Sequence, residues 1–117
     1  MLNIYFVVVE MVATLAPAVG QIGRHDADLA RQMKRALCSV PLNLAEAHQS
    51  LGGDPGKSPK GDNARARYHT ALGSMRETKA CIDVARALGY VEPLDAGVAD
   101  RIDHVSATLY RLAHPKK

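Results

Sequence analysis

Two clusters of basic residues are the chain's most evident chemical feature. Arg24, Arg31, Lys34 and Arg35 form one group, and Lys57, Lys60, Arg65 and Arg67 form another. Guanidinium and ammonium groups arrayed on one surface bind phosphate oxygens, so Arg24, Arg31, Lys34, Arg35, Arg65 and Arg67 are candidate contacts to RNA or DNA. Asp26, Asp28, Asp54 and Asp62 can balance them as an ordinary solvated face. Aromatic residues to stack on unpaired bases are scarce, so any such binding is expected to read backbone and shape.

The carboxylates offer a second possibility. Glu46 and Glu77 could build a paired-carboxylate site, with Asn43 at the edge of its core stripe. The simpler expectation is structural: the three hydrogen-bond across helices or satisfy backbone near Pro41, since partly buried polar groups must find partners. Lys79 falls in the core-facing arc of its helix and could serve one of these carboxylates. Gly52-Gly53-Asp54-Pro55-Gly56-Lys57-Ser58 resembles a phosphate-binding loop, but its first glycine is one residue too close to Gly-Lys-Ser. Pro59 follows where a helix should begin, so a flexible linker is the expectation. No Glu-x-x-His pair of the kind used by metal-holding bundles occurs, and His25, His48, His69, His104 and His114 are scattered. No serine, cysteine or aspartate stands in a recognisable nucleophile arrangement with histidine. Neither a cofactor nor a metal is expected. Cys38 and Cys81 have no Cys-x-x-Cys spacing, which favours a reducing compartment.

These residues must be positioned by helices. The chain has 117 residues, enough for one domain with its own core, and 47% of them are hydrophobic. Abundant Ala, Leu and Arg favour helix over strand. A net charge of +3 permits nucleic-acid contact without requiring it.

Four apolar stripes appear at helical spacing. The first is Ile4, Val8, Met11, Leu15, Ala18 and Ile22, with Pro17 as a kink or break. Glu10 interrupts its apolar run, and the basic start of a signal peptide is missing, so neither a membrane span nor a signal is expected. The second stripe is Leu29, Met33, Leu37, Val40, Leu44 and Ala47. Pro41 within it frees the carbonyl of Leu37, for which Ser39 and Asn43 are the nearest partners. The third is Tyr68, Ala71, Leu72, Met75, Thr78, Ile82 and Ala85, and the fourth is Leu94, Val98, Ile102, Val105, Leu109 and Leu112. Asp26 or Asp28 can cap the second helix and Asp62 or Asn63 the third; Gly89 stops the third and Pro93 opens the fourth. The helices are expected over about 4–23, 26–50, 62–89 and 94–113. Leu51 to Asp62, with four glycines and two prolines, is expected to be a mobile loop.

The segment Ser39-Val40-Pro41-Leu42-Asn43-Leu44-Ala45-Glu46 is followed by Leu72-Gly73-Ser74-Met75 and then by Ala87-Leu88-Gly89-Tyr90-Val91. In this order the three motifs resemble the bacterial four helix bundle protein family. The resemblance runs from about Val12 to Leu112, with Ala47 where the family usually has glycine and a longer connection between Glu46 and Gly73. Members are small cytosolic proteins, some encoded within intervening sequences of large-subunit ribosomal RNA genes, and similar to the accessory protein of diversity-generating retroelements. The resemblance implies an antiparallel up-down four-helix protomer in a ring-like homopentamer. A ring would repeat each basic group around its axis and sum a modest charge into a strong local field.

Cys38, Leu42 and Ala45 lie behind the second stripe, and Cys81, Val84 and Leu88 lie off the third. A lone bundle has no use for a second apolar surface, so these residues are the expected oligomer interface. The sequence therefore points to an all-α, cytoplasmic, non-enzymatic accessory or scaffold protein. It would assemble with itself and contact RNA or DNA, with a protein-binding assembly factor as the alternative.

Overall fold

The computed structural model describes residues 3–52 and 61–116, with side chains from 4–48 and 63–116. Four helices account for nearly all of them: α1 (Asn3–Gly23), α2 (Ala27–Gly52), α3 (Gly61–Ala87) and α4 (Ala96–Ala113). Among the described residues there is no strand. Each helix packs on its neighbour in sequence, α2 against α3 most extensively, and α1 also meets α4, so the four close around one core.

The predicted stripes supply that core. Ile4, Val8, Met11, Leu15 and Ile22 are buried from α1, and Met33, Leu37, Val40, Leu44 and Ala47 from α2. All seven third-stripe residues are buried, including Thr78, whose hydroxyl donates to the Ser74 carbonyl at 2.8 Å. In α4 the buried set is Ile102, Val105, Leu109 and Ala113, while Leu112 is half-buried, because one turn beyond Leu109 brings Ala113 to the core. Cys81, expected off the stripe, is 4% exposed. The close packing of α2 on α3 widens the covered arc of α3 to include it.

Local chemistry sets the ends. Asp26 caps α2: its Oδ1 accepts from the Leu29 N–H at 2.9 Å. Asp28 sits in the first turn and pairs with Arg31 instead. Helix α3 stops at Ala87, two residues before the expected end, because Gly89 takes a positive φ of 77°. The Tyr90 N–H then donates to the Ala85 carbonyl at 2.8 Å and the Gly89 N–H to that of Arg86 at 3.0 Å, closing a Schellman turn. Helix α4 starts two residues after its expected position. Asp95, whose Oδ2 accepts from the Gly97 N–H at 3.0 Å, is its cap, and Pro93 stays outside. Leu51, Gly52 and Gly61, expected in the loop, are helical, and Asp62 begins the expected span of the third helix; the rest of that segment, with Lys57, Lys60 and most of the phosphate-loop-like motif, lies outside the described residues.

Both internal prolines are accommodated in unbroken helices. Near Pro41, Asn43 Nδ2 donates to the Ser39 carbonyl at 2.8 Å and to Ser39 Oγ at 2.9 Å. The amide thus reinforces the turn spanning Pro41, at the Ser39 carbonyl rather than at that of Leu37.

Candidate functional site

The polar residues of α2 and α3 meet along one seam. Gln32 Nε2 donates to Glu77 Oε2 at 3.4 Å, and Ser74 Oγ donates to Ser39 Oγ at 2.8 Å. Arg67 donates to Asn43 Oδ1 at 3.5 Å and pairs with Glu46 at 3.1 Å. As the residue number climbs on α2, that of its partner falls on α3. Glu46 and Glu77 are therefore served by different partners, about 15 Å apart along α3 by helical rise. They form no carboxylate pair able to share acid and base roles in one protomer. Lys79 is exposed and serves neither glutamate. It lies instead in a cleft of about 240 Å³ between α3 and α4, with Asp83, Arg86 and Asp103 around a floor that includes Ile82 and Ile102.

Two buried ionisable groups are shifted. Burial, and secondarily the Glu77 carboxylate, push the Cys81 thiol up, and burial alone pushes the Tyr68 phenol up. Both shifts favour the neutral form. Cys81 is thus an unreactive core thiol, whereas Cys38 is half-buried. Among the described residues no three His, Cys, Asp or Glu side chains come together in a way that could hold a metal ion.

Arg24 lies in the α1–α2 turn, while Arg31, Lys34 and Arg35 are exposed on the first half of α2. Arg31 is matched by Asp28. Arg65 and Arg67 are exposed at the start of α3, beside the far half of α2, with Arg67 matched by Glu46. From Arg31 to Glu46 is about 22 Å of helix, so the two basic groups do not merge within a protomer.

Rings that are scattered in sequence are gathered in space. His25 stacks on Tyr90 with centroids 4.9 Å apart and planes 4° from parallel. At another corner, His69 meets His114 edge-on at 4.8 Å, and Tyr110 stacks on His114 at 4.2 Å. Sequence separation hides both clusters; the helical signal that Tyr110 and His114 are one turn apart was available.

The apolar surface is wider than expected. Leu42 is 65% exposed, Cys38 and Ala45 are half-buried, and Val84 on α3 and Leu88 in the turn after it are exposed. To these α1 adds Phe6 at 58% and Val9 at 41%, with Ala13, Ala16, Pro17 and Gly20 also outside. Helix α1 is long and apolar enough to cross a membrane by length and composition alone, although Glu10 interrupts it, and 22% of its most apolar window is buried. Cys38 shares a cavity of about 240 Å³ with Val12, Ala16, Val19, Leu37 and Lys34, so the mainly apolar surface of α2 continues onto α1 with one lysine in its lining.

No family model, curated protein or solved structure matches this chain.

Proposed function

We propose that the protein is a non-enzymatic, cytosolic scaffold whose antiparallel up-down protomers assemble into a homo-oligomeric ring, a pentamer by its motif resemblance, that contacts nucleic acid. The observation that carries this reading is the uncovered, almost charge-free outer face of α1, continued onto α2 by Cys38 and Leu42. An α1 about 31 Å long and a two-helix-wide face offer an area on the order of the 800 Å² that each partner contributes to a standard interface.

The reversed order of partners along α2 and α3 supports the antiparallel arrangement. A ring needs two different patches on each protomer, because a head-to-tail contact must join unlike surfaces. Val84 of α3 and Leu88 just beyond it are further exposed apolar residues, outside α1 and α2, that could serve as the second. A membrane-surface role fits less well, since α1 has no Lys or Arg to meet anionic headgroups.

The assembly reading supersedes part of the expected interface. Cys81 is withdrawn into the core, and Phe6 and Val9 join Cys38, Leu42, Ala45 and Val84. Replacing Leu42 or Phe6 with glutamate places a charge in the proposed contact and should yield folded monomers by light scattering coupled to gel filtration. Unchanged mass for both variants would refute this interface; a wild-type monomer that captures a different chain would favour the protein-binding alternative.

A further inference from the structure

The α3–α4 pair contains two stretches that are basic and free of carboxylates. Neither Asn63–Arg76 nor His104–Lys116 contains an aspartate or glutamate, while together they carry Arg65, Arg67, Arg76, Arg111 and Lys116. Of the acids of this pair, Glu77, Asp83, Asp95, Asp100 and Asp103 lie in the remaining stretches, together with Lys79, Arg86 and Arg101, and Asp62 stands just before Asn63 at the start of α3. His69 of the first stretch touches His114 of the second, while Asp83 and Asp103 line the cleft shared with Lys79 and Arg86. The two carboxylate-free stretches therefore meet in space.

The three-ring cluster sits where these stretches meet. Tyr110 is 50% exposed although it occupies the last turn of a packed helix. His114 is held beneath it twice over: its backbone N–H donates to the Tyr110 carbonyl at 2.9 Å, and its ring Nδ1 lies 3.0 Å from the same oxygen. His69 closes the edge, with Arg65 one turn before it on α3. Arg111 is steadied on the α4 surface by a bond to Thr108 Oγ1 at 3.2 Å. A fixed, exposed ring face surrounded by cations is what sequence-tolerant binding of single strands uses: stacking for the base and positive charge for its flanking phosphates.

We propose that this corner is a stacking site for an unpaired base of single-stranded nucleic acid. Tyr110 meets the base, His114 and His69 set the ring's position, and Arg65, Arg111 and Lys116 hold the neighbouring phosphates. The proposal rests on the nucleic-acid reading above but moves its centre from the first half of α2, where Asp28 already engages Arg31, to the α3–α4 corner.

The test uses full-length protein and a short single strand carrying 2-aminopurine and a terminal dye, read by aminopurine quenching and by dye anisotropy at two salt concentrations. Wild type should quench the aminopurine and prefer single strand to duplex. Tyr110→Ala should abolish the quenching and weaken binding about 5- to 150-fold, the stacking range for one base. Tyr110→Phe should restore both. Arg65→Ala should lower the salt dependence while leaving the quenching at saturation intact. If wild type binds with steep salt dependence and Tyr110→Ala binds and quenches identically, the stacking site is wrong and the nucleic-acid reading stands. If wild type binds nothing at low salt, both fall.

Discussion

Arg101 of α4 donates to Glu10 of α1 at 3.3 Å. Glu10 is the sole charged residue of α1, and this pair draws it toward the α4 edge. The outer strip of Phe6, Val9, Ala13, Ala16, Pro17 and Gly20 is left without charge. As an exposed ion pair the contact adds little stability, on the order of 0–1 kcal/mol. Its consequence is for the surface, which stays apolar over the length of the helix. Arg101→Ala should accordingly change the denaturation midpoint little and leave assembly intact, as measured by urea titration and gel filtration.

The Ser39 hydroxyl accepts from both Asn43 and Ser74. Of these two donors Ser39→Ala would strand the partly buried Ser74 hydroxyl, while Asn43 Nδ2 keeps the Ser39 carbonyl, so a loss of about 1–3 kcal/mol is expected from urea unfolding. Adding Ser74→Ala removes one of those donors, and the double variant should be less destabilised than the sum of the single ones. Strict additivity would mean that the two serines do not interact.

The cysteines separate core from interface. Cys81, buried and shifted toward its thiol form, should react with an exposed-thiol reagent only after denaturation in every variant. Cys38, on the proposed contact, should react slowly in the assembled protein and faster in Leu42→Glu. Equal Cys38 rates in the two would place it outside the interface.

Stability should decline on the alkaline side. Cys81 and Tyr68 both have folded pKa values raised above their unfolded ones. Each contribution is therefore fully present below the unfolded pKa, about 8.5 for Cys and about 10 for Tyr, and is lost as pH rises toward the folded value. Unfolding free energy should begin to fall above roughly pH 8.5, and Cys81→Ala should delay that onset. A wild-type curve that rises through this window would contradict the burial of both groups.

The helical stripes were legible because every inward position obeys the 3.6-residue period, from Ile4 on α1 to Leu109 on α4. Helix ends were less so: Gly89 was identified as a stop, but its Schellman turn consumes two further residues, and Asp95 outcompeted Pro93 as the start of α4. The burial of Cys81 depends on how closely α2 lies on α3, which no pattern within α3 records. The apolar run of Ile4 to Val9 is plain in sequence, but that Phe6 and Val9 stay exposed depends on which side of α1 the other helices cover. The ring cluster joins His69 to His114 across 45 positions, a proximity that exists only once α3 and α4 are packed. The carboxylate-free stretches Asn63–Arg76 and His104–Lys116 are visible in sequence, and only their meeting in space gives them meaning.

The central claim is assembly, and native mass spectrometry of the full-length protein at moderate ionic strength tests it most directly. Five chains of 12.6 kDa predict a species of about 63 kDa for wild type. Phe6→Glu and Leu42→Glu should shift the population to single chains that keep their helical circular dichroism. A wild-type protein that remains a single chain at tens of micromolar would contradict the account, because the face presented by α1 and α2 would then be uncovered in solution.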